Sequence, residues 1–316
     1  MKRRFFIGLL LLFIIVPSSV MAGKDEFGNQ YGNIHYFSLS GGIGYSTIFE
    51  DFQEWKTVGS VGGTLFAGYE LRVNHFSFNT GLEMQYLSAQ SLLAQSGFNS
   101  YFKDSQGKDF EYQCDFNRVW DMQHFLFGNV PIMVGYFQNG FYINAGLKLG
   151  CCIWSKEMIT ANYTTKGIYE QYIDPFKQME SHKYSNFQTS ASAKLPATKI
   201  KASVCAEIGY DIFAWARKAN STERQGLKFG LFAEYGLNNI TVTDVDQPIY
   251  SVDPKDYSQL ILTPFYSARS AKAHRAIPFY AGIRVTWLLS LGQRNCDCHN
   301  DNHKMKKDYV RFKYFK

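Results

Sequence analysis

The stretch VGGTLFAGYELRVNHFSFNTGLEMQY, Val61 to Tyr86, decides the fold. In its first half Val61, Leu65, Ala67, Tyr69, Leu71 and Val73 share one parity, and Gly62, Thr64, Gly68, Glu70 and Arg72 share the other. After a short turn near Asn74 the pattern resumes. Phe76, Phe78, Leu82, Met84 and Tyr86 now oppose Ser77, Asn79, Gly81, Glu83 and Gln85. A period of two is that of a β-strand, whose successive side chains leave opposite faces. The stretch therefore reads as an antiparallel hairpin with one apolar face. Its other face mixes glycine and serine with charge, which suits a narrow polar interior better than the outside of a soluble sandwich.

Six further segments repeat the pattern. Phe37, Leu39, Ile43 and Tyr45 face away from Ser38, Ser40, Gly42 and Gly44. Val130, Ile132, Val134 and Tyr136 share a face after an expected break near Gly128-Asn129. Phe141, Ile143, Ala145, Leu147 and Leu149 oppose Asn144, Gly146 and Lys148. Ala202, Val204, Ala206, Ile208 and Tyr210 oppose Ser203, Glu207, Gly209 and Asp211. Leu227, Phe229, Leu231, Ala233 and Tyr235 oppose Lys228, Gly230, Glu234 and Gly236. Phe279, Ala281, Ile283, Val285 and Trp287 oppose Tyr280, Gly282, Arg284 and Thr286. Each segment reaches the roughly 9–11 residues with which a tilted strand crosses a bilayer.

Closing such strands on themselves puts the apolar parity against lipid and the polar parity in a lumen, with no edge left unpaired. The expected fold is all-β: an antiparallel up-and-down transmembrane β-barrel of eight strands, with ten as the alternative. The alternative arises because residues 108–120 and 156–175 also alternate. They either lengthen two strands above the membrane or add a hairpin. The connections point the same way. Short ones near Asn74, at Gln138-Asn139-Gly140 (an Asn-Gly hairpin signal) and near 216–226 alternate with long ones at 48–60, 91–121, 156–199 and 242–276. In barrels of the outer membrane short turns face the periplasm and long loops face outward, which sets both termini in the periplasm. Pro131 lies inside a strand and lacks a backbone donor, so a β-bulge is expected there, with Gly128 and Asn129 supplying the slack.

The ends have other compositions. Residues 1–22 join Lys2, Arg3 and Arg4 to an apolar run from Phe5 to Val16 and a small-residue site, the pattern of a secretory signal peptide cleaved after Ala22. No other stretch has 18 consecutive apolar residues. A short periplasmic segment at 23–33 leads into the barrel at 34–291, and a basic periplasmic tail follows at 292–316. The 316-residue chain has a formal charge of +6. Loss of the three signal-peptide bases lowers it to +3. The tail supplies more than that, which leaves the barrel close to neutral. Export removes nucleic acid from the partners. Those expected are outer-membrane lipid and an envelope protein or glycan, with the chain itself a monomer.

The run VPIMVGYFQNGFYINAGLKLG (Val130–Gly150) has a strand with an internal proline, a tight turn, and an aromatic strand ending in Ala-Gly. It resembles the outer-membrane β-barrel domain of PorT-like proteins of Bacteroidetes-type bacteria. FYAGIRVTWLL (Phe279–Leu289) is similar to that family's closing strand. The resemblance covers most of residues 31–291 and implies the barrel and, as a function, assistance to protein export. The residues after the last strand depart from the usual barrel end.

Inward parity collects nine ionic side chains: Glu70, Arg72, Glu83, Lys148, Glu207, Asp211, Lys228, Glu234 and Arg284. An eight-stranded barrel has room inside only for side chains, so these nine are expected to pair and plug the lumen rather than catalyse. The expected role is structural or surface interaction. The alternatives are a narrow pore or export-accessory barrel, and a rim enzyme acting on envelope lipid. For the enzyme, His75-Phe76-Ser77 falls at the wrong end, and His124 near the outer rim has no serine two residues on. No cofactor is expected. Cys296, Cys298, His299 and His303 in the tail are weak metal candidates, since Cys and His this dense can bind metal. The long-loop aromatics, Phe98, Tyr101, Phe102, Phe110, Tyr112, Phe116 and Trp120 among them, suit either packing or a binding surface.

Overall fold

The structure is a computed structural model, and it describes residues 34–50, 55–73, 75–93, 97–103, 107–138, 140–169, 186–195, 200–212, 225–242, 247–253, 256–268 and 275–291. The signal peptide, the 23–33 segment and the 292–316 tail with its Cys and His residues lie outside the described residues.

Eight strands close a ring: β1 (Ile34–Glu50), β2 (Trp55–Val73), β3 (Phe76–Leu93), β5 (Asp109–Gln138), β6 (Phe141–Ile168), β8 (Lys201–Asp211), β9 (Gln225–Gly236) and β12 (Ala276–Ser290). Each pairs antiparallel with the next, and β12 returns to β1 from Tyr36↔Ser290 to Glu50↔Ala276 without a shift. The outer parity is exposed along the ring, with Leu65 at 69%, Val134 at 62% and Leu231 at 61%, while Glu70 and Lys148 on the inner parity stand at 1% and 2%. A closed ring that is apolar outside and ionic inside is a transmembrane β-barrel. Aromatics border the apolar belt on both sides: Tyr136, Phe141, Tyr210 and Trp287 at one end, Tyr45, Tyr86, Trp154 and Tyr235 at the other.

Ring closure at this size needs close backbone approach. Gly44 faces Gly62 across β2 and Gly282 across β12. A Cβ on Gly44 would stand 2.1 Å from the Ala281 carbonyl oxygen. At the β5–β6 turn Gly140 takes a φ of +90°, open to glycine at no steric cost.

The start of β1 and the end of β12 share one end of the ring with the β2–β3 and β5–β6 turns. Ile34 pairs with Arg72 beside the β2–β3 turn, and Phe76 pairs with Tyr136 beside Gly140. At the other end two strands leave the ring. β5 has 30 residues and β6 has 28, and they stay paired up to Glu111↔Ile168. β4 (Gly97–Lys103) adds to β5 there and β7 (Asn186–Ala193) adds to β6. The extra strands thus flank a sheet outside the ring and do not enlarge it to ten. The hairpin of β10 (Tyr250–Asp253) and β11 (Asp256–Leu262) packs on this sheet. The Tyr250 ring stacks 4.5 Å from Phe98, and the Leu260 N–H donates to the Tyr163 hydroxyl at 3.2 Å. Phe110, Tyr112, Phe116 and Tyr163 are buried in this headpiece, each ring contributing roughly 1.5–3 kcal/mol by burial.

Two local expectations fail. β5 is continuous through Gly128-Asn129. Pro131 sits in an unshifted register, with Thr80↔Ile132 and Glu83↔Asn129 on either side of unpaired rungs. The missing donor is therefore absorbed by skipped pairs against β3. On the β6 side the pairing shifts twice, between Leu126 and Phe127, where β6 accommodates an extra residue at Ile153, and higher up between Phe116 and Arg118.

Candidate functional site

The polar parity of eight strands converges on the ring axis, and the structure places all nine sequence-selected ionic residues there, each buried. They fall into layers. Nearest the short turns, Lys228 Nζ donates to both Glu70 oxygens, at 2.7 and 2.5 Å, and Arg72 Nε donates to Glu70 at 2.7 Å. The same guanidinium donates to Asp211 Oδ2 at 3.2 Å and lies 4.4 Å over the Phe137 ring. In the middle, Arg284 spans two carboxylates, Glu207 at 3.1 Å and Glu83 at 2.9 Å, and the Tyr142 hydroxyl donates to Glu207 at 2.7 Å. Above, Lys148 bridges Glu83 at 2.7 Å and Glu234 at 2.9 Å.

A tenth ionic group completes the set. Lys201, 1% exposed, donates to Glu234 Oε1 at 2.6 Å and lies 4.9 Å over the Phe127 ring. Ser203 and Gln85 also donate to Glu234, both at 2.8 Å, so that carboxylate takes four donors. With Lys201 the lumen holds Glu70, Glu83, Glu207, Asp211 and Glu234 against Arg72, Lys148, Lys201, Lys228 and Arg284. The nine chosen from the sequence leave one acid in excess, and the tenth removes it. Its signal was present: Lys201 shares parity with Ser203 and Glu207, but it is the first residue of β8, ahead of the alternation. Buried charges without partners cost several kcal/mol each, so this balance is a condition of folding in lipid. Aromatic rings occupy what the ions leave. A small cavity beside Ser40, Phe66, Asn144 and Thr286 has room for roughly one water molecule.

Beyond the upper aromatic border, the headpiece end of the lumen holds a different group. Glu50, Asp121 and Glu157 come together from β1, β5 and β6, with Ser91 and Gln123 between them. A single-turn helix, α1 (Phe265–Ala268), descends onto them from the loop that precedes β12. The Tyr266 N–H and the Ser267 hydroxyl donate to Glu157, and the Tyr266 hydroxyl donates to Glu50. Burial lifts the Glu50, Asp121 and Glu157 carboxyls above the usual carboxylate range, Asp121 furthest, and also raises the Tyr266 phenol. These acids escaped the sequence reading because they lie at or inside stretches taken as loops.

The histidine candidates separate. Ser77 is buried and donates to Asn144 at 3.1 Å, while His75 is exposed and donates to the Phe137 carbonyl at 3.3 Å. His124 sits at the outer rim, where its Nδ1 shares a hydrogen bond with the Tyr86 hydroxyl at 2.7 Å and lies 3.2 Å from Ser88 Oγ. Burial, and after it the Lys156 charge, lowers the imidazole pKa. Among the described residues no acid completes a triad with this pair. Among the described residues too, no group of three or more His, Cys, Asp or Glu has metal-holding geometry, and Cys114, Cys151, Cys152 and Cys205 are free thiols.

The class defined by this ring and lumen is an eight-stranded transmembrane β-barrel with an ionic interior. No family model matches the chain, and no curated protein matches it. Among solved structures it is similar to the crystal structure of Ail, the attachment invasion locus protein of Yersinia pestis, in complex with the heparin analogue sucrose octasulfate. That likeness has a TM-score of 0.23 and 12% identity, and it covers 80% of this chain and 98% of Ail. A similarity of that size carries nothing about function.

Proposed function

We propose that this protein is an outer-membrane barrel whose lumen is sealed by its balanced ion pairs and whose role is structural or one of surface interaction. The observation that carries the reading is the split between the ends. Among the described residues, every acid of the membrane-height interior is paired with a cation. Most of the remaining described residues belong to the headpiece of β4, upper β5 and β6, β7, β10 and β11. A sealed barrel that invests in one exposed end presents that end to something outside the cell. The headpiece then faces outward, both termini face the periplasm after signal cleavage at Ala22, and the partner is an envelope protein or a glycan. The chain works as a monomer, since its ring closes without a second copy.

Tyr101 on β4, 68% exposed, tests the orientation. Tyr101→Cys in a chain otherwise free of cysteine should react with a membrane-impermeant maleimide on intact cells. Reaction only after the outer membrane is permeabilised overturns the assignment. An export-accessory role, implied by the PorT-like resemblance, would instead require a partner at the periplasmic end, and crosslinking from the turn at Gly140 would find it.

A further inference from the structure

Three carboxylates meet in the headpiece mouth, Asp121 and Glu157 buried and Glu50 partly so, and among the described residues none of them has a basic side chain as a hydrogen-bond partner. Glu50, Asp121 and Glu157 meet Ser91 from β3, Gln123 from β5, and Tyr266 and Ser267 from the α1 turn. The groups that act on them electrostatically are one another and the Tyr266 phenol. In the membrane-height lumen every acid has a cation, so the mouth is built on a different rule. A second observation comes from the amide beside them. Gln123 is fully buried and donates from Nε2 to Asp121 Oδ2 at 2.9 Å, while its own Oε1 has no partner. Asp121 Oδ1 and Glu50 Oε2 likewise lack a donor. The site is therefore short of hydrogens, not of acceptors. Asp121 and Glu157 also share one face of the β5–β6 pair, where Gln123 stands directly opposite Glu157 and Asp121 opposite Ile159, so two acids occupy one buried spot, an arrangement relieved when one of them carries a proton.

We propose that the Glu50–Asp121–Glu157 cluster is a proton-operated latch that holds the α1 turn over the mouth of the barrel and releases it as the external pH rises. The ligand is the proton itself. Protonated Asp121 donates to Glu157, leaving the Glu157 oxygens to accept from the Tyr266 N–H and the Ser267 hydroxyl. Deprotonation places adjacent anions in a dry site, and the available relief is for α1 to lift and admit water. Phe265, Tyr266 and Ala268 are all buried in the docked state, so lifting uncovers the mouth.

The sign follows from linkage. Carboxyls whose pKa is raised on docking bind more protons docked than released. Docking is therefore complete in acid and weakens as pH passes from the ordinary carboxylate range up through the raised values. Each proton involved changes the docking equilibrium by about tenfold per pH unit.

Hydrogen exchange on the full barrel in detergent, between pH 5 and 9, reads the latch at the Tyr266 amide. After correction for intrinsic exchange, protection should fall about tenfold per pH unit up to the pH at which the docked cluster gives up its shared proton and level off beyond it, while amides of the ring strands stay level. Asp121→Asn, which donates to Glu157 at every pH, should flatten the dependence and keep protection at pH 9. Should that variant fail to fold, Glu50→Gln should make the fall smaller and end it at lower pH, because the Glu50 charge helps to hold the Asp121 proton. Wild-type protection that is level or rises with pH overturns the proposal. So does protection at pH 9 that appears with millimolar calcium and disappears with chelator, since the cluster would then be a cation site.

Discussion

Lys201 Nζ stands 2.6 Å from Glu234 Oε1 across the β8–β9 pair, and that contact makes the membrane-height interior electrically even. Lys201→Met leaves four cations against five acids in the lumen and takes one of four donors from Glu234. Breaking a buried pair from one side costs about 3–5 kcal/mol. Urea unfolding of the barrel in lipid vesicles should show a loss of that size. Adding Glu234→Gln restores the balance and should return part of the loss; no recovery would mean that the pair acts by packing alone.

Leu65 tests which face meets lipid. It sits on the outer parity, 69% exposed. An arginine at the mid-height of a lipid face costs about 2–4 kcal/mol. Leu65→Arg should therefore destabilise the barrel by that amount in vesicles, and Tyr101→Arg in the headpiece should cost under about 1 kcal/mol, as surface changes usually do. Equal effects would place Leu65 away from lipid.

Gly44 is a point of close backbone approach in the ring, facing Gly62 and Gly282 at once. Gly44→Val should prevent the β1–β12 seam from forming, and unheated electrophoresis should show loss of the compact folded band. A folded band of wild-type mobility would mean that β12 can stand off from β1.

Cys114 lies in the headpiece, 1% exposed, and burial pushes its thiol pKa up to about 12. The thiolate is the reactive form, so at pH 8 Cys114 should resist maleimide while the headpiece is folded and react once urea opens it. Mass spectrometry of labelled peptides reads this directly. Rapid native labelling would contradict the packed aromatic core around it.

Strand count and lumen composition were legible because parity is a local signal: Val61–Tyr86 states both faces without reference to any other segment. Lys201 was not, since the alternation is recognised from Ala202 onward and the lysine precedes it. Asp121 and Glu157 were not either. They belong to the continuation of β5 and β6 above the membrane, where both parities turn polar or aromatic and the lipid-facing signal ends. Their meeting with Tyr266 depends on a loop contact more than a hundred residues away in sequence. No periodicity reports such a contact. Pro131 misled because a proline in a closed sheet suggests a bulge, whereas two skipped rungs against β3 serve equally well.

Planar-bilayer conductance of the purified barrel tests the sealed lumen most directly. A lumen closed by five acid–base sets predicts no steady current at neutral pH, with conductance appearing when Arg284 and Lys148 are both replaced by alanine. A steady open current through the unmodified protein would contradict it.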